Sequence, residues 1–245
     1  MALVHEFEKT GNWLFKRRSW LPVVLVVAGL SAMYYVNRQS ILFKPAEELI
    51  FLGVSLFGEA IRIITVGHAP VNTSGRNTAH GQLADVVNTS GIYSLVRHPL
   101  YIGNFFMWLG PALFMRSFIF ALVFFLVYWL YYERIMFAEE QFLRSKFGEA
   151  YDKWSEKVKA VLPRFKNYIP SGLPFSFRTV VRREYNSFVN IFVIFIALDL
   201  FRNYLVSETI YVTPMWAWLT GGAAVIWLVS RLIHKKTSWL TVEGR

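Results

Sequence analysis

The chain has 245 residues, of which 55% are hydrophobic and 18% aromatic, and its formal net charge is +10. This apolar share exceeds that of an ordinary soluble domain and predicts an all-α polytopic membrane protein. The lack of cysteine excludes disulfides, thiolate nucleophiles and cysteine-ligated zinc or iron–sulfur sites, and we predict no metal site of another kind. No nucleic-acid-binding motif accompanies the positive charge, so we attribute the charge to loops beside membrane spans rather than to nucleic acid binding.

The N-terminal stretch before Trp20 contains two glutamates and a late basic run, with no small-residue cleavage site behind it. We therefore expect an interfacial segment that leads into a retained span, not a signal peptide. Six apolar segments follow, each near the length of about 20 residues that a helix needs to cross a bilayer. The predicted spans are Trp20–Val36, Glu47–Val66, Leu100–Met115, Ser117–Phe137, Ser187–Val206 and Val212–Ile233.

Basic residues predict the orientation of these spans. With a cytoplasmic N-terminus, 21 of the 26 Lys and Arg residues fall in the inside segments and only 4 in the outside loops. This asymmetry agrees with the positive-inside rule and predicts that both termini are cytoplasmic. The loop Gly67–Arg97 and the basic region Arg134–Arg183 then lie on the same side. We expect any active site at this cytoplasmic face.

The third and fourth spans are separated by little more than Arg116 and Ser117, which predicts a tight antiparallel helical hairpin. We divide the chain into three parts on this basis. Residues 1–66 hold the interfacial segment and two spans, residues 67–168 form a core around the hairpin, and residues 169–245 form a two-span C-terminal extension.

The stretch "SGIYSLVRHPLYIGN" (Ser90 to Asn104) precedes the hairpin. Proline is favoured at the first position of a helix, so Pro99 predicts a helix start with His98 at its N-terminus. Such an end presents unpaired N–H groups and a partial positive charge, which suit a carboxylate or a phosphate. Tyr101 adds an aromatic face with a hydroxyl. Gly103, one turn further, leaves room for a flat ligand or a close helix neighbour.

A second stretch, "ERIMFAEEQFLRSKFGEAYDKW" (Glu133 to Trp154), continues the fourth span as an amphipathic helix. Because the hairpin returns to the same face, Glu139 and Glu140 are expected near His98 and Tyr101. Each feature also has an ordinary interpretation when taken alone. Arg97 is equally expected as a membrane-surface anchor, and Glu140 with Arg144 as a helix-surface ion pair.

Together the two stretches resemble the isoprenylcysteine carboxyl methyltransferases and the related phospholipid methyltransferases. The shared pattern is G-x-Y-x-x-x-R-H-P-x-Y-x-G, then a helical hairpin, then E-E-x-x-L-x-x-x-F-G-x-x-Y. The resemblance covers about Gly67 to Pro163. Its fixed positions are matched by Gly91, Tyr93, Arg97, His98, Pro99, Tyr101, Gly103, Glu139, Glu140, Leu143, Phe147, Gly148 and Tyr151.

The resemblance implies S-adenosylmethionine as cofactor, bound at the cytoplasmic face without a Rossmann domain. Carried over by position, the cofactor-binding residues are Asp85, Val86, Val87, Asn88, Tyr93, His98, Pro99, Leu100, Tyr101, Gly103, Glu139 and Glu140. Arg134, Arg97 and Glu139 are the implied catalytic residues, the two arginines meeting an anionic acceptor. One position departs from the family, which places an arginine four residues before the first glutamate. Ile135 occupies that position here and Arg134 precedes it.

The implied reaction is methyl transfer to the polar head of a lipid or lipidated substrate, whether carboxylate, phosphate or amine. Two alternatives remain. An NADPH-dependent sterol or steroid-type membrane reductase has a similar R-x-x-x-Y-x-G stretch, but usually with an acidic residue where this chain has Asn104. A non-catalytic lipid-binding scaffold is the other. Within the spans, we expect Asp199 and Arg202 to form a structural ion pair and Arg62 to support the site. The oligomeric state is left open.

Overall fold

The computed structural model describes residues 2–18, 20–35, 44–73, 77–78, 81–82 and 84–245. Eight α-helices are present in these ranges, with two short 3-10 turns, Ile92–Ser94 and Phe165–Asn167. A two-stranded hairpin pairs Asn77–Thr78 with Gly81–Gln82. The helices are α1 (Ala2–Lys16), α2 (Trp20–Tyr35), α3 (Pro45–Gly67), α4 (Pro99–Phe114), α5 (Phe118–Phe147), α6 (Glu149–Ser155), α7 (Phe177–Ser207) and α8 (Pro214–Lys236).

Four of the described helices, α3, α5, α7 and α8, are long and apolar enough to cross a membrane. The all-helical membrane architecture that the sequence predicts is therefore confirmed. Each of the six predicted spans is a helix, but α2 and α4 have only 16 residues each. At 1.5 Å per residue they extend about 24 Å, less than the hydrocarbon thickness of about 30 Å. The predicted end of the first span, Val36, lies outside the described residues.

The hairpin of α4 and α5 turns within three residues, Met115, Arg116 and Ser117, and is as tight as the sequence predicts. Arg116 adopts a positive φ of 52°, and the hydroxyl of Ser117 accepts a hydrogen bond from the Phe120 amide at 3.2 Å. Helix α5 has 30 residues, so it continues well beyond the apolar segment. Glu139 lies about 32 Å along α5 from its start, close to one hydrocarbon thickness. The end of α5 therefore carries its polar residues at the boundary of the membrane.

Helices α3 and α4 pack with their backbones in close contact. A Cβ atom placed on Gly58 would lie 2.4 Å from the Gly103 carbonyl oxygen, and one on Gly103 would lie 2.8 Å from that of Gly58. Only glycine allows helices to approach this closely, as at many membrane helix interfaces. The start of α4, which carries Pro99, is thereby held against α3.

Helices α7 and α8 dock onto α3 through a buried polar cluster. Arg202 pairs with Asp199 on its own helix, which confirms the predicted ion pair, and with Glu48 of α3 at 2.5 Å. Trp216 of α8 stacks on Phe195 of α7, with ring centroids 4.9 Å apart, and donates its indole N–H to Glu48. The C-terminal extension is thus packed against the rest of the chain.

Candidate active site

The loop before α4 is fixed by main-chain hydrogen bonds to the segment after α6. The amide of Gly91, whose φ is +60°, donates to the Ile169 carbonyl at 2.8 Å. Further along, the Arg97 amide donates to the Lys159 carbonyl at 2.9 Å, and the His98 amide donates to the Ala160 carbonyl at 3.1 Å. Pro99 then begins α4, as the sequence predicts. His98 is therefore held at the N-terminus of a helix.

Glu140 joins Arg97 and His98. Its carboxylate accepts from the Arg97 guanidinium at 2.9 and 3.3 Å and lies 2.8 Å from His98 Nε2. The remaining guanidinium nitrogen of Arg97 donates to the carbonyls of Ser155 and Val158, both at 2.7 Å. The alternative interpretation of Glu140 and Arg144 as a helix-surface pair does not apply, because Arg144 pairs with Asp152 instead. Charge-assisted hydrogen bonds of this kind connect α4, α5 and α6 strongly.

Glu139 turns to a different set of partners. Its carboxylate accepts from the Tyr101 hydroxyl at 2.9 Å and lies 3.7 Å from His98 Nδ1. The rings of His98 and Tyr101 stack with centroids 5.6 Å apart. The Tyr128 hydroxyl donates to the Tyr101 carbonyl at 2.6 Å and fixes the first turn of α4 against α5. The structure therefore brings the two predicted motifs together.

These groups open onto a cavity of about 760 Å³, a size typical of ligand sites. Most of the predicted cofactor residues line this large cavity. They are Val86, Val87, Asn88, Tyr93, His98, Pro99, Leu100, Tyr101 and Glu139, and the predicted catalytic residue Arg97 joins them.

Four predicted residues are not among the described residues that line the large cavity. Asp85 is exposed and accepts a hydrogen bond from the Asn72 side chain at 3.0 Å. Gly103 packs against α3, so it serves a close helix neighbour rather than a ligand. Glu140 faces Arg97 and His98. Arg134 lies over the Phe7 ring, 3.2 Å from its centroid, on the side of α5 that α1 covers. The displaced arginine of the motif thus faces α1.

Several cavity residues have no assignment from the sequence. They come from the two ends of the chain and are Phe15, Arg18, Arg182, Arg183, Glu184 and His234. Their basic members flank apolar spans, so in the sequence they are indistinguishable from ordinary positive-inside charges. Arg62, which the sequence marks as a supporting residue, also lines the cavity. Its guanidinium donates twice to Glu184, both at 2.9 Å, and once to Asn104 at 2.6 Å.

A second cavity of about 230 Å³ adjoins the first. Arg18, Arg62 and Asn104 line both cavities, so these residues lie where the two cavities adjoin. The other walls of the small cavity come from α4, α5 and α7, through Met107, Trp108, Tyr132, Ser187, Asn190, Ile191 and Ile194. Polar and apolar side chains are mixed on the walls of the small cavity, as they are in the large one.

Two tyrosines at the large cavity remain protonated at physiological pH. Burial raises the pKa of the Tyr93 hydroxyl, the Glu139 carboxylate raises it further, and the positive charges of Arg183 and Arg62 oppose the rise. Burial also raises the pKa of Tyr151, with the Glu140 carboxylate next in importance. Both residues therefore present neutral hydroxyl groups that can donate hydrogen bonds.

The chain matches the family model described as phospholipid methyltransferase over residues 49–150. It is 38% identical over 91 residues to the protein-S-isoprenylcysteine O-methyltransferase of Schizosaccharomyces pombe, covering 37% of this chain and 36% of the relative. The probable enzyme of this name from Oryza sativa is 30% identical over 144 residues, covering 56% of this chain and 75% of the relative. The Rattus norvegicus enzyme is 26% identical over 154 residues, 61% of this chain and 50% of the relative.

The matches thus span from about one third to three quarters of the relatives' lengths. No solved structure matches the chain. All of these relatives bear the name of a methyltransferase, and the reductase and scaffold alternatives receive no support from them.

Proposed function

Because the chain belongs to the isoprenylcysteine O-methyltransferase family, we propose that it transfers a methyl group from S-adenosylmethionine to an anionic oxygen of a lipidated substrate. The observation that carries this proposal is the position of Glu139, whose carboxylate lines the large cavity beside His98 at the start of α4. The relatives' names specify O-methylation of an S-isoprenylcysteine. A prenylcysteine carboxylate is therefore the first acceptor to test.

The residues of the large cavity fit S-adenosylmethionine. The N-terminus of α4 suits the methionine carboxylate, and Glu139 suits an amine or a ribose hydroxyl. The indole N–H of Trp154, also on this wall, is buried and has no hydrogen-bond partner among the described residues. Such a buried donor is costly unless a bound ligand satisfies it. When bound, S-adenosylmethionine supplies an electrophilic methyl group.

The protein's own groups act mainly by placement. A carboxylate acceptor has a pKa of about 3.5 and is ionised at neutral pH, so no general base is needed. Holding the acceptor oxygen in line with the methyl group supplies much of the rate enhancement. Glu139, fixed by Tyr101, orients the donor side of the cavity. Arg97 and Glu140 position His98 and the start of α4 and do not themselves react.

The orientation in the membrane follows from charge. We place both termini and the mouth of the large cavity in the cytoplasm, since the basic residues lie predominantly at that end. Helices α2 and α4 complete a six-span arrangement with α3, α5, α7 and α8, as shortened spans packed against longer neighbours. Residues 67–168 form the methyltransferase core, with 1–66 and 169–245 on either side. The four long helices place the protein in the membrane.

Thermal unfolding of the detergent-purified protein tests cofactor binding without knowledge of the acceptor. S-adenosylhomocysteine should raise the unfolding temperature in a concentration-dependent manner, because it binds only the folded state, and NADPH should not. Glu139→Gln should lose this response while unfolding cooperatively. Glu133→Gln, an exposed glutamate on the same helix, is the matched control and should respond like the parent.

Two outcomes would contradict the proposal. Stabilisation by NADPH alone would favour the reductase. A protein that unfolds cooperatively but is stabilised by neither ligand would favour the scaffold. After a positive result, the next assay measures methyl transfer from labelled S-adenosylmethionine to N-acetyl-S-farnesyl-cysteine in detergent micelles. Phosphatidylethanolamine serves as the amine acceptor for comparison.

A further inference from the structure

Two polar side chains of α6 line the large cavity without a hydrogen-bond partner among the described residues. They are Trp154, through its indole N–H, and Tyr151, through its hydroxyl. Both polar atoms are buried, and Tyr151 as a whole has no exposed surface. Because a buried donor without a partner is costly, these two groups indicate a ligand with atoms that accept hydrogen bonds.

The Tyr151 hydroxyl differs in this respect from other buried tyrosines of the site. Tyr128 donates to the Tyr101 carbonyl at 2.6 Å. The Glu140 carboxylate lies near enough to Tyr151 to raise its pKa, but outside hydrogen-bond geometry, and it already accepts from Arg97. Tyr151 therefore stays protonated and has a hydroxyl hydrogen to donate.

Helix α6 holds these two donors at fixed positions. Arg97 donates to the carbonyls of Ser155 and Val158, both at 2.7 Å, and so ties the end of α6 to the start of α4. Tyr151 and Trp154 are three residues apart and share one face of the helix. Their rings meet edge to face, with centroids 5.6 Å apart and an interplanar angle of 63°. Both side chains are thus fixed before a ligand binds.

The elements next to α6 contribute apolar side chains to the cavity. Phe142 and Leu143 line it from the last two turns of α5, the helix that α6 contacts. Residues 86–87, both valines, line it from the loop before α4. Lys146 near the end of α5 donates its ammonium to the Ala84 carbonyl and holds this loop beside α5. The donors of α6 therefore belong to an uncharged, largely apolar part of the wall.

This combination suits one part of S-adenosylmethionine. The methionine part has charged groups, and the ribose has hydroxyls but no aromatic face. Adenine is uncharged and flat, its faces pack well against aromatic and aliphatic side chains, and its ring nitrogens accept hydrogen bonds. Neutral donors on an apolar wall are therefore better matched to the base than to the rest of the molecule.

We propose that Trp154 and Tyr151 recognise the adenine ring, each donating a hydrogen bond to a different ring nitrogen. The base lies between α6, the end of α5 and residues 86–87. This inference rests on the proposed methyl transfer and deepens it. Both residues follow residues 49–150, the part of the chain that matches the family model. Tyr151 occupies a fixed position of the sequence motif without an assigned role, and Trp154 lies outside its fixed positions.

Deaza analogues of S-adenosylhomocysteine test the two contacts. In these analogues each acceptor nitrogen of adenine is replaced in turn by a C–H group, and calorimetry in detergent gives their dissociation constants. In the parent, two analogues should bind on the order of 10-fold more weakly than S-adenosylhomocysteine, because each leaves one buried donor unpaired. Trp154→Phe should abolish the discrimination against one of these analogues, and Tyr151→Phe the discrimination against the other.

Matched controls are available for both substitutions. Trp218→Phe removes an indole N–H from an exposed position on α8, and Tyr168→Phe removes an exposed hydroxyl. Both controls should keep the parent's preference among the analogues.

Thermal unfolding without ligand gives a readout that does not depend on binding. Tyr151→Phe removes a buried hydroxyl that has no partner in the described part of the chain, so the unfolding temperature should equal or exceed that of the parent. Tyr128→Phe instead deprives the Tyr101 carbonyl of its donor and should lower that temperature. A loss in Tyr151→Phe as large as in Tyr128→Phe would show that its hydroxyl is bonded within the protein, which would overturn its assignment to the base.

The outcomes separate the two proposals. If S-adenosylhomocysteine does not bind the parent, the proposed methyl transfer fails first. If it binds but both phenylalanine variants of α6 discriminate among the analogues as the parent does, α6 does not contact the base and this inference is overturned while methyl transfer stands. An equal loss of affinity for S-adenosylhomocysteine and every analogue would place the donors against the ribose or the methionine part and would also overturn it.

Discussion

Glu139 and Glu140 are adjacent in the sequence but face different parts of the molecule. Successive helical residues are rotated by about 100°, so the two side chains leave α5 in different directions and reach opposite nitrogens of the His98 ring. Glu139 accepts from Tyr101 and lines the large cavity, whereas Glu140 accepts from Arg97 and contacts His98. We therefore propose that Glu139 binds the ligand and that Glu140 positions His98.

Glu140→Gln should lower stability more than ligand binding. The substitution removes the charged acceptor of two hydrogen bonds from Arg97 and leaves its guanidinium without its carboxylate, at a cost of about 1–3 kcal/mol. The free energy of unfolding without ligand measures this loss, with Glu133→Gln as control. If Glu140→Gln unfolds like the parent but no longer responds to S-adenosylhomocysteine, Glu140 binds the cofactor directly, as its position in the motif predicts.

At single residues, the sequence predicts roles best where a local rule applies. Pro99 marks a helix start because proline lacks the N–H that the first turn leaves unpaired. No local rule predicts that Arg18 and Arg183 line the cavity, because the residues beside them in the cavity lie far away in the chain. Arg134 illustrates the opposite case. Its motif predicts a site role, but α1 covers its side of α5, and no pattern in the α5 segment indicates that contact.

Among the elements, apolar composition predicts the existence of the helices but not their ends. Helix α7 begins at Phe177, ahead of the predicted Ser187, after a cap in which the Ser176 hydroxyl accepts from the Thr179 amide at 3.3 Å. The added turns are polar and carry Arg182 and Arg183, so hydropathy does not detect them. The residues missed at the site are consequently residues of the helix ends.

The contact of α3 with α4 makes Gly103 sensitive to its smallest replacement. In Gly103→Ala the new methyl would lie 2.8 Å from the Gly58 carbonyl oxygen and 2.7 Å from Arg62 Cγ. The helices must separate or Arg62 must move, so both the stability and the methyl-transfer rate should fall. Thermal unfolding and a rate assay with N-acetyl-S-farnesyl-cysteine measure the two effects.

Gly53→Ala is the matched control on α3, because a Cβ there meets no atom within 4 Å. Alanine is preferred over glycine inside a helix by about 1 kcal/mol, so this variant should be as stable as the parent or slightly more stable. Equal behaviour of the two alanine variants would show that the α3–α4 contact is looser than the structure indicates.

For the molecule as a whole, α7 is attached to α3 by an ion pair near each end. Arg202 pairs with Glu48 at one end, and Glu184 pairs with Arg62 at the other, beside the two cavities. The two helices run antiparallel, and the pairs lie about 20–27 Å apart along them. The sequence predicts the pair of Asp199 with Arg202 because both residues lie on one helix. The pairs of Glu48 with Arg202 and of Glu184 with Arg62 join different helices, so only the tertiary structure reveals them.

The two attachments should have separable effects. Arg202→Ala leaves Glu48 and Asp199 buried without their cation, so the free energy of unfolding should fall by about 3–5 kcal/mol. Since Arg62 and Glu184 remain paired, the response to S-adenosylhomocysteine and the KM for N-acetyl-S-farnesyl-cysteine should change little. Glu184→Ala instead removes the carboxylate that holds Arg62 where the two cavities adjoin, so it should raise that KM with a smaller loss of stability. Identical profiles for both variants would mean that α7 responds as one rigid unit, and that the effects of its two ion pairs with α3 are not separable.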